Sequence, residues 1–189
     1  MPASSSSKRG GDEMNDSERL ALVASVVGML RSAGSWTGRM HIQKVVYVAQ
    51  ELGIVPPAYE FVLYQRGPYS FDLDAGIREL RSIGAVDIRP APPYGPTYET
   101  TEMGEQIANA SPVGGQASQR LNELAAKLGI KQAKDLELLA TTLYVVDQGY
   151  TATDEIIGRV GDLKPQFERE RIELAMVEIE ELKSSFSQT

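Results

Sequence analysis

Cysteine is absent from the sequence, and histidine occurs only once, as His41. Without cysteine the chain forms no disulfide, thiolate zinc site or cysteine nucleophile, and this composition is typical of the cytoplasm, where we expect the protein. A Ser-His-Asp triad would have to use His41, and no G-x-S-x-G nucleophile sequence is present. A zinc site would need an all-carboxylate shell, which proteins rarely use. We therefore expect neither a bound metal nor an enzymatic activity.

Glycine motifs that bind phosphate are also lacking, since neither G-x-x-x-x-G-K-[ST] nor G-x-G-x-x-G occurs, and we expect no cofactor. Purely apolar runs are only a few residues long, so we expect no segment to span a membrane. The N-terminal MPASSSSKRGGDEMND has no apolar core and is not expected to be a secretory signal. We expect residues 1–16 to be a disordered tail, within which Met14 is a candidate start.

An excess of basic residues is missing as well. The net charge is −7, of which residues 36–100 carry −1 and residues 101–189 carry −6. Proteins that hold nucleic acid without sequence preference neutralise phosphates with clustered lysine and arginine. The charge distribution therefore disfavours DNA binding without eliminating it, because a local basic patch can coexist with an acidic remainder.

What the sequence does contain is a regular order of amphipathic segments. Helices are predicted at residues 17–34, 40–52 and 71–84. Strands are predicted at residues 59–65, 85–89 and 97–101, of which the last two are joined by PAPPYGP. Residues 67–70 are predicted to form a turn and the cap of the third helix. This order predicts an α+β fold with a winged helix-turn-helix core at residues 17–110. A linker, SPVGGQ, precedes a helical C-terminal region at residues 116–185.

Three stretches, HIQKVVYVAQELG, YEFVLYQRGPYSFDLDAGIRELRSIGAV and DLKPQF, resemble the YwgA-type bacterial and archaeal proteins. More distantly they resemble the Panacea domain of phage-associated proteins and SocA-like antitoxins. The shared pattern is matched by Gln43, Lys44, Tyr47, Gly67, Pro68, Tyr69, Ser70, Leu80 and Gly84. The resemblance covers roughly residues 37 to 182. It implies a winged-helix-like module without enzymatic activity and, in the Panacea relatives, partner binding in toxin–antitoxin or phage-defence settings.

Several tyrosines and basic residues are candidates for a partner-binding face. We expect the partner to bind either a face around Lys44, Tyr47, Tyr64, Arg66 and Tyr69 or the tip of the proline-rich loop at Tyr94. A stiff loop with an aromatic residue at its tip loses little entropy on docking. The alternative for the tyrosines and lysine is that they cover the edge of the core with their polar tips in water. The alternative for Tyr94 is a plain loop, and for Arg66 an ion pair with a nearby acid. The expected partner is a protein, and the resemblance implies a toxin or a defence component.

The second hypothesis is a DNA-binding transcriptional regulator that acts as a dimer. It requires a contiguous basic patch built from Arg39, Lys44, Arg78, Arg81 and Arg89. The acidic start of the third helix opposes it, because carboxylates near phosphates cost affinity.

That acidic start also has a structural explanation. Ser70 can cap the helix, Asp72 favours the helix dipole, and Asp74 lies four residues before Arg78 on an expected solvated face. The last helix, QFERERIELAMVEIEELK, is either a solvated element or a dimerisation surface, and the sequence leaves a homodimer open.

Overall fold

The computed structural model describes residues 14–93 and 95–186. Within them, the helices are α1 (Asp16–Ser32), α2 (Arg39–Glu51), α3 (Phe71–Ser82), α4 (Glu102–Asn109), α5 (Gly115–Gly129), α6 (Ala133–Asp147), α7 (Thr153–Leu163) and α8 (Arg169–Phe186). The strands are β1 (Val62–Tyr64), β2 (Gly67–Tyr69), β3 (Val86–Arg89) and β4 (Thr97–Thr100). The described chain is mostly helical with two small antiparallel sheets, β1–β2 and β3–β4, so the predicted α+β class holds.

The folded chain starts earlier than the sequence predicts. Asn15 accepts a hydrogen bond from Glu18 N at 3.0 Å, and the Glu18 carboxylate accepts one from Asn15 N at 2.8 Å, so the two residues form a capping box. Met14, directly before this cap, is buried in the core. The prediction of a disordered tail is therefore wrong for residues 14–16. Residues 1–13 lie outside the described residues.

The hairpin β3–β4 contacts the loop between α1 and α2. Its register pairs Val86 with Thr100 and Arg89 with Thr97. Tyr98 N, in β4, donates a hydrogen bond to Thr37 O at 2.8 Å, which ties the α1–α2 loop to the hairpin. Tyr94, the predicted contact at the tip of this hairpin, lies outside the described residues.

Both halves of the chain contribute to one main hydrophobic core. It contains Leu22 of α1 and Ile42 of α2 together with Leu121 of α5, Leu139 of α6 and Leu182 of α8. A second, smaller cluster joins α6, α7 and α8. The predicted boundary near residues 110–116 therefore separates two stretches of chain that share a core. Among the described residues, no helix is both long and apolar enough to cross a membrane.

Candidate partner-binding surface

The β1–β2 hairpin is the centre of the site, and a proline fixes its hydrogen-bonding pattern. Val62 pairs with Tyr69, Leu63 with Pro68, and Tyr64 with Gly67, which adopts a φ of 84° that glycine tolerates best. Antiparallel pairs alternate between hydrogen-bonded and non-hydrogen-bonded. Because Pro68 has no N–H, the Leu63–Pro68 pair must be the non-hydrogen-bonded one. The backbone hydrogen bonds between β1 and β2 are therefore made by the pairs on either side, Val62–Tyr69 and Tyr64–Gly67.

One side of this hairpin presents apolar and aromatic side chains to solvent. Val62, Tyr64 and Tyr69 share it through the register, and Phe71 joins them from the start of α3. The Tyr64–Tyr69, Tyr64–Phe71 and Tyr69–Phe71 ring centroids are 5.6, 5.7 and 5.1 Å apart, within the range of favourable aromatic pairs. Phe71 is 58% exposed and Tyr64 is 49% exposed. We call these four residues the hairpin face.

Two buried lysines donate hydrogen bonds to backbone carbonyls of the hairpin. Lys44 of α2 donates from Nζ to Pro68 O at 2.5 Å, and Lys164, which follows α7, donates to Gln65 O at 2.7 Å. Lys164 Nζ also lies 2.5 Å from Glu137 Oε1 of α6. We call Lys44, Glu137 and Lys164 the buried lysine cluster. It fixes both ends of the β1–β2 turn with charge-assisted hydrogen bonds.

Lys44 does not lie on the surface, in contrast to the sequence prediction. Its side chain is among the largest fully buried ones, with 1% of the residue exposed. Burial lowers the pKa of Lys44 to about 7, Glu137 opposes this shift and the charge of Lys164 adds to it. The expectation that Lys44 contacts a partner is therefore wrong. It supports the hairpin face, as does Gln43, whose side-chain amide exchanges two 2.9 Å hydrogen bonds with the backbone of Ser70.

Tyr47 is buried as well, and its predicted contact with a partner is wrong. It packs edge-on against Phe61, and its hydroxyl donates to Asp147 Oδ2 at 2.9 Å. Asp147, at the end of α6, also lies beside Glu51 at the end of α2. Burial raises the pKa of Glu51 to about 7, and the charge and hydrogen bond of Asp147 raise it further. The pKa of Asp147 is also raised, mainly by burial.

This carboxylate pair gives the stability a definite pH dependence. The pKa of Glu51 is about 7 in the folded protein and 4.5 in the free side chain. Between these two pH values the folded protein therefore binds more protons than the unfolded protein. The contribution of this pair to the free energy of unfolding should therefore fall as the pH rises from about 4.5 to about 7, while buried His41, whose pKa is lowered from 6.5, contributes in the opposite direction. Glu51→Gln should flatten that slope, whereas Glu79→Gln, at an exposed position of α3, should leave it unchanged. Urea unfolding at several pH values measures it, and equal slopes in all three proteins would contradict the assignment.

Asp74 of α3 is a buried carboxylate between two arginines. Its Oδ1 lies 3.1 Å from Arg39 Nε, and its Oδ2 lies 2.5 Å from Arg78 Nη1. The predicted solvated Asp74–Arg78 pair is therefore an ion cluster around a carboxylate that is 5% exposed. Burial raises the pKa of Tyr69, and the charge of Asp74 and a hydrogen bond to it raise it further. The cluster therefore lies beside Tyr69 of the hairpin face.

The arginines of the DNA hypothesis are mostly engaged with acids. Arg39 and Arg78 share Asp74, and Arg89 pairs with Glu99 across the β3–β4 hairpin. Arg81 lies in a shallow groove beside the proline-rich loop. With Lys44 buried, these residues do not assemble a contiguous unpaired basic patch.

Arg66 occupies the second position of the β1–β2 turn and is exposed. Neither it nor exposed Glu60 forms an ion pair within the part of the chain that the structure describes. The sequence alternative in which Arg66 pairs with an acid of the same chain is thus not seen there. Arg66 lies at the edge of the hairpin face, where it is accessible to a partner.

Within the described ranges, no group of three or more histidines, aspartates and glutamates is placed to hold a metal ion. His41 is buried, its Nε2 lies 3.1 Å from Lys131 O, and burial lowers its pKa. Its contacts are those of a core histidine.

No protein-family model and no curated protein matches the chain. The functional interpretation therefore rests on the geometry of the hairpin face and its supports.

Proposed function

We propose that this chain is a non-enzymatic interaction module that binds a protein partner through the hairpin face. One observation carries the proposal: Val62, Tyr64, Tyr69 and Phe71 form a contiguous, largely exposed apolar surface on a hairpin. Contiguous exposed apolar patches mark interaction sites in soluble proteins. Aromatic residues, tyrosine above all, are enriched where protein interfaces gain most of their binding energy.

The support beneath this surface favours binding. The buried lysine cluster fixes the turn, and Tyr69 packs against the rings of Tyr64 and Phe71 beside the Asp74 ion cluster. A surface whose side chains are already ordered loses less conformational entropy when a partner docks. The predicted face is retained for Tyr64, Arg66 and Tyr69, with Val62 and Phe71 taking the places assigned to Lys44 and Tyr47.

We further propose that residues 16–109 form a winged helix. Two features support this: the order of three helices followed by the β3–β4 hairpin, and the Thr37–Tyr98 backbone hydrogen bond that brings the α1–α2 loop to the hairpin as a third strand would. In this interpretation β1–β2 is an addition between the second and third helices. The resemblance to Panacea and SocA-like proteins supplies the setting, an antitoxin-like or phage-defence role with a toxin or defence component as partner.

DNA binding receives no comparable support. The solvent face of α3 would be the reading surface of a winged helix, yet it carries Asp72 and Glu79 beside Arg78 and Arg81. Fold alone does not fix function. The paired arginines and mixed charge favour a protein partner over a phosphate backbone.

The hairpin face is tested by removing its most exposed ring. Phe71→Ala should weaken capture of the partner about tenfold or more, as expected for an aromatic residue at the centre of an interface. Tyr69→Ala should do the same. Tagged wild-type and variant proteins are used to capture partners from the native host, with and without nuclease. Ile130→Ala, which truncates an apolar residue that is 77% exposed at the end of α5, is the matched control.

A protein that survives nuclease treatment and binds the wild type and the Ile130 variant, but not the Phe71 variant, supports the proposal. A partner captured equally by all variants would show that another surface is used. Specific DNA that is lost on nuclease treatment would replace the proposal with the regulator hypothesis.

A further inference from the structure

The outer edge of β1 has free hydrogen-bonding groups. Since Leu63–Pro68 is the non-hydrogen-bonded pair, the N–H and C=O of Leu63 point away from β2. No backbone hydrogen bond to another element engages them within the described ranges, and β2 is the only element that β1 contacts extensively. An exposed strand edge of this kind is a template for a further strand.

The sequence around this edge is complementary to itself. When two copies of β1 pair antiparallel about a two-fold axis at Leu63, each Leu63 exchanges two hydrogen bonds with its counterpart. The same register brings Val62 opposite Tyr64 of the second copy, a β-branched and aromatic pair of the type that stabilises sheets. It also directs Glu60, two residues before β1, towards Arg66 in the β1–β2 turn of the second copy, twice per dimer, so that these two long side chains can meet.

The charges distinguish this occupant from others. Glu60 and Arg66 are both exposed, lie two residues before and two residues after β1, and have no ion-pair partner within the described residues. Glu60 and Arg66 have opposite charges. A two-fold axis between the two copies of β1 therefore directs each glutamate towards an arginine. A peptide of arbitrary sequence would not be selected by this pattern.

We propose that a second copy of this chain binds along β1 and forms a continuous four-stranded sheet, β2–β1–β1–β2, with the two hairpin faces side by side. This deepens and rests on the proposed function, since it names one partner of the same surface. The interface uses a short strand and few side chains, so it falls in the small, transient class. We expect a dimer that is populated at protein concentrations of about 10–100 µM.

Charge reversal tests the register directly. Glu60→Arg should place two pairs of like charges in the dimer and raise its dissociation constant about tenfold, and Arg66→Glu should do the same. The double variant should recover the wild-type constant. An equimolar mixture of the two single variants should form a heterodimer, because both pairs are then complementary again. Sedimentation equilibrium at low salt measures each constant, since screening weakens such pairs.

Glu123→Arg, an identical change of charge at an exposed position of α5, is the control and should leave the constant unchanged. Circular dichroism confirms that each variant is folded. A wild type that is monomeric at about 100 µM, or a dimer insensitive to both reversals, would overturn the proposal. Neither result bears on capture of a different protein by Phe71, which the host experiment decides separately.

Discussion

Glu137→Gln is expected to destabilise the protein by about 3 kcal/mol at pH 7. The carboxylate of Glu137 is the counter-charge for buried Lys164 and opposes the fall in the pKa of Lys44. Glutamine keeps the shape and one acceptor oxygen but removes the charge, so Lys164 loses its counter-charge and Lys44 retains its proton less readily beside it. Breaking a buried pair by neutralising one partner is costly because the remaining charge is desolvated without compensation. Urea unfolding monitored by circular dichroism measures the change.

The pH dependence identifies the cause of this destabilisation. With a pKa of about 7 in the folded protein against 10.5 when free, Lys44 binds fewer protons folded than unfolded between these values. Its contribution to stability therefore rises with pH across that window, and the deficit of the variant should shrink at pH 9. Glu173→Gln, which removes an exposed ion pair with Arg169, should destabilise the protein much less than Glu137→Gln, because solvent screens exposed pairs. Equal losses of stability in both variants would show that the carboxylate of Glu137 does not compensate buried charge in the lysine cluster.

Gly104→Ala is expected to cost about 3 kcal/mol or more, at the upper end for overpacked sites. Gly104 lies in the first turn of α4, where that helix meets the start of β3. A Cβ there would sit 2.0 Å from Ala85 O and 3.2 Å from Thr100 Cβ. Ala85 O cannot retreat without loss, because it accepts a hydrogen bond from Thr101 N at 3.0 Å. Thermal and urea unfolding of the variant measure the effect.

A second glycine provides a control of opposite sign. Gly158 lies inside α7, and a Cβ there would meet no atom within 4 Å. Gly158→Ala should therefore raise the stability by up to about 1 kcal/mol, through helix propensity alone. If Gly104→Ala were as well tolerated as Gly158→Ala, the close packing of α4 on Ala85 and Thr100 would be contradicted.

Local pattern was enough to predict most elements of the chain. The helical spacing of Leu73, Ile77 and Leu80 marks the buried side of α3, and Ser70 caps that helix by accepting a hydrogen bond from Leu73 N at 3.2 Å. The same pattern also indicates an exposed aromatic residue. Phe71 lies off the buried stripe, so a large apolar side chain at this position had to face solvent.

The misplaced site residues have a common physical cause. Lys44 and Tyr47 lie on a side of α2 that looks peripheral when only one neighbouring helix is considered, but α5 and α6, from the distant C-terminal half, also pack against α2. Likewise, Asp74 and Arg78 look like a solvated pair until Arg39 joins them from α2. Periodicity reports which face of a helix is apolar, whereas contacts between distant segments decide how many faces are covered.

The link between Lys164 and Gln65 O has a practical consequence for engineering. The segment 62–71 displays the hairpin face, but a residue about a hundred positions later holds the turn beneath it. A truncated protein that ends at the linker would lose Glu137 and Lys164 together, and the turn would lose half of its anchorage. Grafting the hairpin onto another scaffold would likewise transfer the aromatic residues without the buried lysine cluster that holds the turn. The hairpin face is short in sequence, but contacts from distant parts of the chain hold its shape.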